Sequence, residues 1–119
     1  MRSVAKNDAV YIEYMTECIE RIQDYTREGR AAFFASRLIQ DATVRNLQTL
    51  TESSQRLSAA TRARAPDIDW RAIAGFRNIL VHGYLGVDIE LVWRVIEQDL
   101  PALRDALLEI RPAVAGSRK

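Results

Sequence analysis

Residues 70–84 read WRAIAGFRNILVHGY, and this stretch decides the fold. Its apolar residues recur three or four positions apart, which is the spacing of a helix face that packs against a core; they are Trp70, Ile73, Ala74, Phe76 and Leu80. Asp69 directly precedes them and is a good N-cap, while glycines after a periodic run end helices. The sequence therefore predicts a helix that begins at Trp70 and stops where it meets Gly83 and Gly86.

The same periodicity extends toward the N-terminus. A first helix, ended by Gly29, is predicted from an apolar stripe that consists of Tyr11, Tyr14, Met15, Cys18, Ile22 and Tyr25. A second helix is expected from near Ala31 to about Ala60. A loop over residues 62–69 should follow it, because Pro66 disfavours helix at the residue before it.

The fourth helix is expected to begin after Asp88, which can cap it. Its apolar stripe consists of Ile89, Val92, Trp93, Ile96, Leu100, Leu103, Leu107 and Ile110. Pro101 lies inside this stripe, and a proline removes a backbone donor and crowds the preceding turn, so we expect a kink or a split near Asp99. No segment alternates polar and apolar residues as a strand does. We therefore predict an all-α antiparallel bundle of four main helices.

The middle of the second helix is unusually polar. Its side chains must be hydrogen-bonded or line a wet interface, because a buried polar group without a partner is costly; they are Thr43, Asn46, Gln48, Thr49, Ser53 and Ser54.

The chain of 119 residues fits one domain, residues 1–119, with a frayed tail from about residue 112. A chain this short buries only about two-thirds of the surface that it exposes when unfolded. We expect apolar surface, including part of the Trp70 and Trp93 regions, to be covered by a second copy. The prediction is a homodimer.

Several classes of protein are excluded by composition. The chain is 48% apolar, but no apolar run approaches the about 20 residues that a membrane span needs. Residues 1–6, MRSVAK, lead into an amphipathic stretch and not into a signal-peptide core, so we expect a cytoplasmic protein without a membrane partner. With one cysteine, Cys18, and one histidine, an intrachain disulfide and a zinc site of nitrogen and sulfur ligands are excluded, and we expect no metal or cofactor.

The charge is small in sum but segregated along the chain. The net charge is +1, yet residues 27–77 hold nine arginines against five acids, and residues 78–110 hold two arginines against six acids. Arginine suits bidentate phosphate contacts, so the middle of the chain is where an anionic partner should bind. The alternative is that these arginines form solvated faces and salt bridges with the acidic last helix.

The candidate site lies at the end of the third helix, where Arg77, Asn78, His82 and Tyr84 fall within eight positions. On a continuous helix Arg77 and His82 would be about 140° apart. If the helix stops at His82, the imidazole is free to swing off its end, and the long Arg77 side chain can reach the same end. On spacing alone a structural reading is preferred, in which Arg77 and Asn78 are surface groups, His82 favours the helix C-terminus, and Tyr84 is an interfacial aromatic.

The pattern Arg-x4-His-x-Tyr, filled by Arg77, His82 and Tyr84, resembles the motif of HepT-type toxins of the HEPN superfamily. The resemblance covers nearly the whole chain, since residues 41–50, 66–70, 75–78, 87–88, 92–93 and 99–103 stand in the order and spacing of that family. Two departures are visible. The chain reads Leu-Thr-Glu-Ser at 50–53, where Ile-Gly-Glu-Ala is common, and it has Phe76 where methionine is usual.

The resemblance implies a dimeric, metal-independent endoribonuclease, the toxin half of a toxin–antitoxin pair. It implies that Arg77 clamps a phosphate of the RNA substrate and that His82 is the acid or the base, with Asn78 in a supporting role. It also implies a partner, an MntA-like nucleotidyltransferase antitoxin, that neutralises the toxin by adenylylation (AMPylation) of Tyr84.

Elementary chemistry agrees with part of this. Cleavage of RNA without a metal needs a base for the 2′-hydroxyl, an acid for the leaving 5′-oxygen and a cation at the phosphorane. One histidine cannot easily supply both base and acid, whereas two copies with facing motifs would provide two His82 and two Arg77 side chains around one phosphate, which would make the dimer the catalytic unit. The alternative is a non-catalytic HEPN module that docks a nucleotide or the nucleotidyltransferase.

Overall fold

A computed structural model describes residues 7–83 and 86–116. Within these ranges the chain forms α1 (Asp8–Tyr25), α2 (Arg30–Ala35), α3 (Arg37–Gln55), α4 (Ala59–Ala63), α5 (Trp70–His82), α6 (Ile89–Arg94) and α7 (Leu100–Gly116), with a π-helical turn, Val95–Asp99, between the last two. The same ranges contain no strand, so the all-α prediction is confirmed. The four main helices are α1, α3, α5 and the unbroken run from α6 to α7.

Neighbouring main helices run antiparallel, as predicted. The start of α1 meets the end of α7, where Arg111 lies 3.2 Å from Glu13. In the other pair, Gln48 of α3 contacts Leu80 of α5, and Glu52, one turn further along α3, contacts Arg77, earlier in α5. Helix α3 packs against both α1 and α5, so it lies between the N-terminal helix and the helix that carries the candidate site.

The core face of α1 differs in part from the predicted stripe. Met15, Cys18 and Ile22 are buried as expected, but the expected Tyr14 is 48% exposed. Ile12 and Ile19 are fully buried, because the face spaced 12, 15, 19 and 22 turns inward. Tyr14 instead lies on the surface with its ring edge-on to Tyr11 at 6.2 Å. The helix also ends at Tyr25, before Gly29. Gly29 is instead the N-cap of α2, with a φ of 99°.

The prediction of one second helix from Ala31 to about Ala60 is wrong. The backbone is extended at Ser36, which separates α2 from α3. The Ser36 hydroxyl accepts a hydrogen bond from the Ile39 N–H at 3.1 Å, and such a cap satisfies a helix end that would otherwise be unpaired. The break lets Phe33 turn fully into the core. Ser58 caps a further short helix, α4, which extends into the expected loop as far as Ala63.

The polar middle of α3 is hydrogen-bonded, mostly to its own backbone. The Thr51 hydroxyl donates to the Leu47 carbonyl at 2.9 Å, and the Ser54 hydroxyl donates to the Thr51 carbonyl at 2.7 Å. Within the described ranges the hydroxyl of the buried Thr43 has no such partner. The buried Thr51 and Ser54 therefore lie inside the bundle at little cost, since their hydroxyls are paired, while Asn46 and Gln48 are half-buried and Thr49 is exposed.

The predicted caps of α5 and α6 are both confirmed. The Asp69 carboxylate accepts from the Ala72 N–H at 2.9 Å, and that of Asp88 accepts from the Glu90 N–H at 3.0 Å. The expectation that the Trp93 region is left for a partner is wrong, because Trp93 is buried and its ring lies 5.3 Å from that of Phe33. Trp70 is half-buried, and its indole N–H is shared between the carbonyls of Arg62, in α4, and Ala65, just after it.

The last helix does not split at Asp99. Five residues, Val95–Asp99, adopt π-helical hydrogen bonding directly before Leu100 and Pro101. A proline has no N–H to give to the turn before it, and a local π turn accommodates that loss within a helix. A bend of the axis at Pro101 stays a prediction, as does fraying from residue 112: the helix continues to Gly116, and residues 117–119 lie outside the described ranges. None of the described helices is both long and apolar enough to cross a lipid bilayer.

A buried carboxylate joins the start of α1 to the junction of α3 and α4. Asp8 is fully buried, and its carboxylate accepts hydrogen bonds from the Ser58 N–H at 3.1 Å and the Ser58 hydroxyl at 2.6 Å. The hydroxyl of the buried Thr61 also donates to it. The contact ties together residues 50 positions apart in the sequence.

We predict that Asp8→Ala lowers the free energy of unfolding by about 3 kcal/mol, since buried donors lose a charged acceptor. The matched control is Asp24→Ala, which removes an exposed carboxylate 3.0 Å from Arg27 and should cost less than about 1 kcal/mol. Urea titrations of both variants at one fixed protein concentration give the comparison. Equal small losses in the two variants would contradict a structural role for Asp8.

Candidate functional site

The candidate site is built on the C-terminal half of α5. His82 is the last residue of the helix and is exposed, and Gly83 follows as its cap. A Cβ at Gly83 would lie 3.1 Å from both the Ile79 carbonyl oxygen and the Val87 side chain, so a side chain here would require these neighbours to shift by a few tenths of an ångström. The predicted end of the helix at His82 is confirmed. Tyr84 lies outside the described residues.

Arg77 lies on the side of α5 that faces α3. Its side chain is 32% exposed, and one terminal nitrogen (Nη2) lies 3.8 Å from a carboxylate oxygen of Glu52. The other (Nη1) donates to the side-chain oxygen of Asn78 at 3.3 Å. Its Nε is buried and without a hydrogen-bond partner in the described part of the chain. The guanidinium is thus held at the α3–α5 interface with donors still free for an anion.

Arg77 and His82 do not form one cluster within a single chain. Because α5 stays helical through His82, the two side chains leave the axis about 140° apart. No hydrogen bond joins them in the described ranges, whereas Arg77 and Asn78 are in contact. One copy therefore presents the arginine toward α3 and the histidine toward its outer surface.

Much of α5 remains uncovered. Among its thirteen residues Leu80 alone is buried, whereas α1 buries seven residues. Gly75, Asn78 and His82 share one exposed face, and Ile79 beside them is 48% exposed. A Cβ at Gly75 would meet no described residue within 4 Å. Glycine inside a helix costs about 0.5–1 kcal/mol relative to alanine, and nothing in the described chain requires it there.

A polar stripe runs along α3 next to the site, at intervals of three or four residues. It consists of Arg37, Asp41, Arg45, Gln48 and Glu52. Glu52 contacts Arg77, and the Gln48 amide donates to the Leu80 carbonyl at 3.4 Å. Arg37, Asp41 and Arg45 line an open cavity of about 610 Å³. Gly83, Gly86 and Val87 lie on its opposite side. We name it the loop cavity.

The sequence analysis missed the pairing of Glu52 with Arg77 and the place of Arg45 in the loop cavity. The regular spacing of charged and amide side chains along α3 was a usable signal. It did not show which part of α5 lies opposite, because that depends on how the two helices pack.

The remaining reactive groups do not extend the site. Burial raises the pKa of the Cys18 thiol, Arg21 lowers it by a smaller amount and Glu17 raises it further, so the thiol stays protonated at neutral pH. Across the described residues, no three histidine, cysteine or acidic side chains come together as a metal site would require.

Comparison with known proteins identifies the family. The model of the family "Ribonuclease HepT-like" matches residues 15–110, which include the motif. "Probable ribonuclease HepT" of Thermococcus cleftensis is 32% identical over 102 residues, 85% of this chain and 93% of that protein.

A second relative is longer. "Gamma-glutamylcyclotransferase and putative RNase MJ0434" of Methanocaldococcus jannaschii is 34% identical over 106 residues, 88% of this chain and 48% of that protein, so this chain spans about half of its length. No solved structure matches the chain. With most of its length matched by the family, and a relative of nearly equal length, the chain belongs to the HepT-like ribonucleases of the HEPN superfamily.

Proposed function

We propose that the protein is a metal-independent endoribonuclease that acts in the cytoplasm as the toxin of a toxin–antitoxin module. The observation that carries the proposal is the environment of Arg77. In this HepT-like chain its guanidinium is half-buried with free donors, and it lies on the helix that ends at the exposed His82.

The reaction assigned to this site is attack of the ribose 2′-oxygen on the neighbouring phosphorus. A base takes the 2′-hydroxyl proton, the P–O bond to the 5′-oxygen breaks, and an acid protonates that oxygen. The products are a 2′,3′-cyclic phosphate and a 5′-hydroxyl. Arg77 neutralises the charge that grows on the phosphorane, and an imidazole in the neutral form acts as base while a protonated one acts as acid.

The site requires two copies of the chain. One His82 cannot be base and acid in the same step, and within one copy it lies apart from Arg77. The uncovered face of α5 supports pairing here, because Gly75 and Ile79 lie on or beside the face that carries His82. A second copy packed on this face would bring two His82 side chains together, and each long Arg77 side chain would turn from the α3–α5 interface to reach the same phosphate.

The second candidate function is a binding module that docks a nucleotide or the nucleotidyltransferase without cleaving RNA. It is favoured by the separation of Arg77 from His82 within one chain, since a chain that does not pair has no complete catalytic set. Binding of RNA without any cleavage by the purified dimer would support this function over the first.

We expect Arg77→Ala and His82→Ala each to lower RNA cleavage at least 10²-fold, since each removes a group that acts in the transition state. The wild-type reaction should persist in EDTA and leave a cyclic or 3′-phosphate, read by gel and mass spectrometry of the products. Arg64→Ala is the control, because Arg64 is an exposed cation just after α4. Full activity in both site variants would exclude this site.

The dimer should be seen by light scattering at tens of micromolar, an order-of-magnitude choice for a modest Kd. Gly75→Gln should give a folded, helical monomer without cleavage activity, because glutamine favours helix but fills the interface. Ala63→Gln, at an exposed alanine of α4, should change none of these properties. A monomeric wild type, or a Gly75→Gln variant that dimerises normally, would disprove this interface.

Tyr84 is the proposed site of neutralisation. Its phenolic oxygen would attack the α-phosphorus of ATP in the partner nucleotidyltransferase, form a phosphodiester with AMP and release pyrophosphate. The bulk and negative charge of the nucleotide would then occupy the place of the substrate phosphate.

Co-expression with the cognate nucleotidyltransferase should add one or more AMP units to Tyr84 and abolish cleavage. Tyr84→Phe should stay active and escape neutralisation. Intact-mass and peptide spectrometry provide the measurement. A neutralised complex with unmodified Tyr84 would show that the partner inhibits by binding alone.

A further inference from the structure

We infer that the loop cavity is a subsite for the RNA nucleotide next to the cleaved phosphate, with Arg45 as its phosphate contact. The inference rests on the proposed function and adds to it how the substrate strand is held. It is drawn from the charge, the lining and the position of the cavity.

The position follows from the polar stripe of α3. Glu52 marks where Arg77 meets α3, and Arg45 lies seven residues earlier on the same stripe, about 10 Å along the helix axis. Gln48 lies between them and is fixed to the Leu80 carbonyl, in the last turn before His82. A strand with a phosphate at Arg77 would therefore pass the mouth of the loop cavity.

The donors in the cavity favour an anion at Arg45. Arg37 is paired with Asp41 at 3.8 Å, and the Gln40 amide is used by the Phe33 and Phe34 carbonyls at 3.1 and 3.2 Å. Arg45 is exposed and forms no ion pair within the described part of the chain, so its fork of donors remains available. A guanidinium in this state binds phosphate oxygens in pairs.

The shape of the cavity suits a whole nucleotide and not a phosphate alone. Its volume of about 610 Å³ is within the range of small-molecule sites. Val44, Val87 and Ile89 are half-buried in its lining and offer an apolar surface to the face of a base. Among the described residues, a Cβ at Gly86 would meet nothing within 4 Å.

The test measures binding separately from cleavage. Fluorescence anisotropy of a labelled single-stranded 2′-O-methyl RNA reports affinity without reaction, because its 2′-oxygen cannot attack. Arg45→Ala should weaken binding about tenfold at low salt, the effect of one charge-assisted contact. It should also reduce the slope of log K against log salt by about 0.7, the value for one phosphate of a single strand. Arg45→Lys should restore the slope, and Arg64→Ala should change neither quantity.

Cleavage of an unmodified RNA provides a second readout. Arg45→Ala should raise KM and leave kcat within a few-fold, whereas Arg77→Ala should lower kcat. A wild-type affinity and salt slope in Arg45→Ala would overturn the subsite, and so would an equal loss in Arg64→Ala, which would indicate nonspecific attraction.

The two proposals fail in different ways. If the wild type neither binds nor cleaves RNA, both are wrong. If it cleaves RNA and Arg45→Ala behaves as wild type, the subsite alone is wrong. If Arg45→Ala binds RNA normally but escapes the nucleotidyltransferase, the cavity is a protein-docking surface, and the inference is overturned.

Discussion

The packing of α3 between α1 and α5 is the constraint on which the rest of the structure depends. One side of α3 supplies Leu47 and Leu50 to the core. Its polar stripe meets the end of α5, where Gln48 binds the Leu80 carbonyl and Glu52 lies beside Arg77. Both surfaces belong to one rigid helix. The placement of α3 that buries its apolar side chains in the core therefore also sets where Arg77 lies.

This arrangement explains how an arginine with free donors can be held in place. The Glu52 contact is long and partly exposed, so on its own it contributes little to stability. A closer, fully buried pair would hold the guanidinium more firmly but would occupy the donors that a phosphate needs. The observed geometry orients the side chain and leaves its chemistry available.

The features that the sequence predicted are local ones. The caps Asp69 and Asp88, the end of α5 at His82 and the helical periods depend on neighbours within a few residues, which can be read directly. The break at Ser36 was missed because the residues around it favour helix, and burial of Phe33 decides otherwise. The Glu52–Arg77 contact and the loop cavity depend on the alignment of α3 with α5, which no local pattern encodes.

Because few residues of α5 are buried, this helix should open locally before the other main helices. Helices α1 and α3 are fastened to each other through their core and again at Asp8, while α5 is held by one buried side chain and its half-buried neighbours. Local opening draws on the least buried elements first, so α5 should detach at a lower cost than the α1–α3 pair. In a single copy, α5 would then be detached from the bundle more often than α1 and α3. A partner bound to the exposed face of α5 would therefore raise the cost of opening this helix.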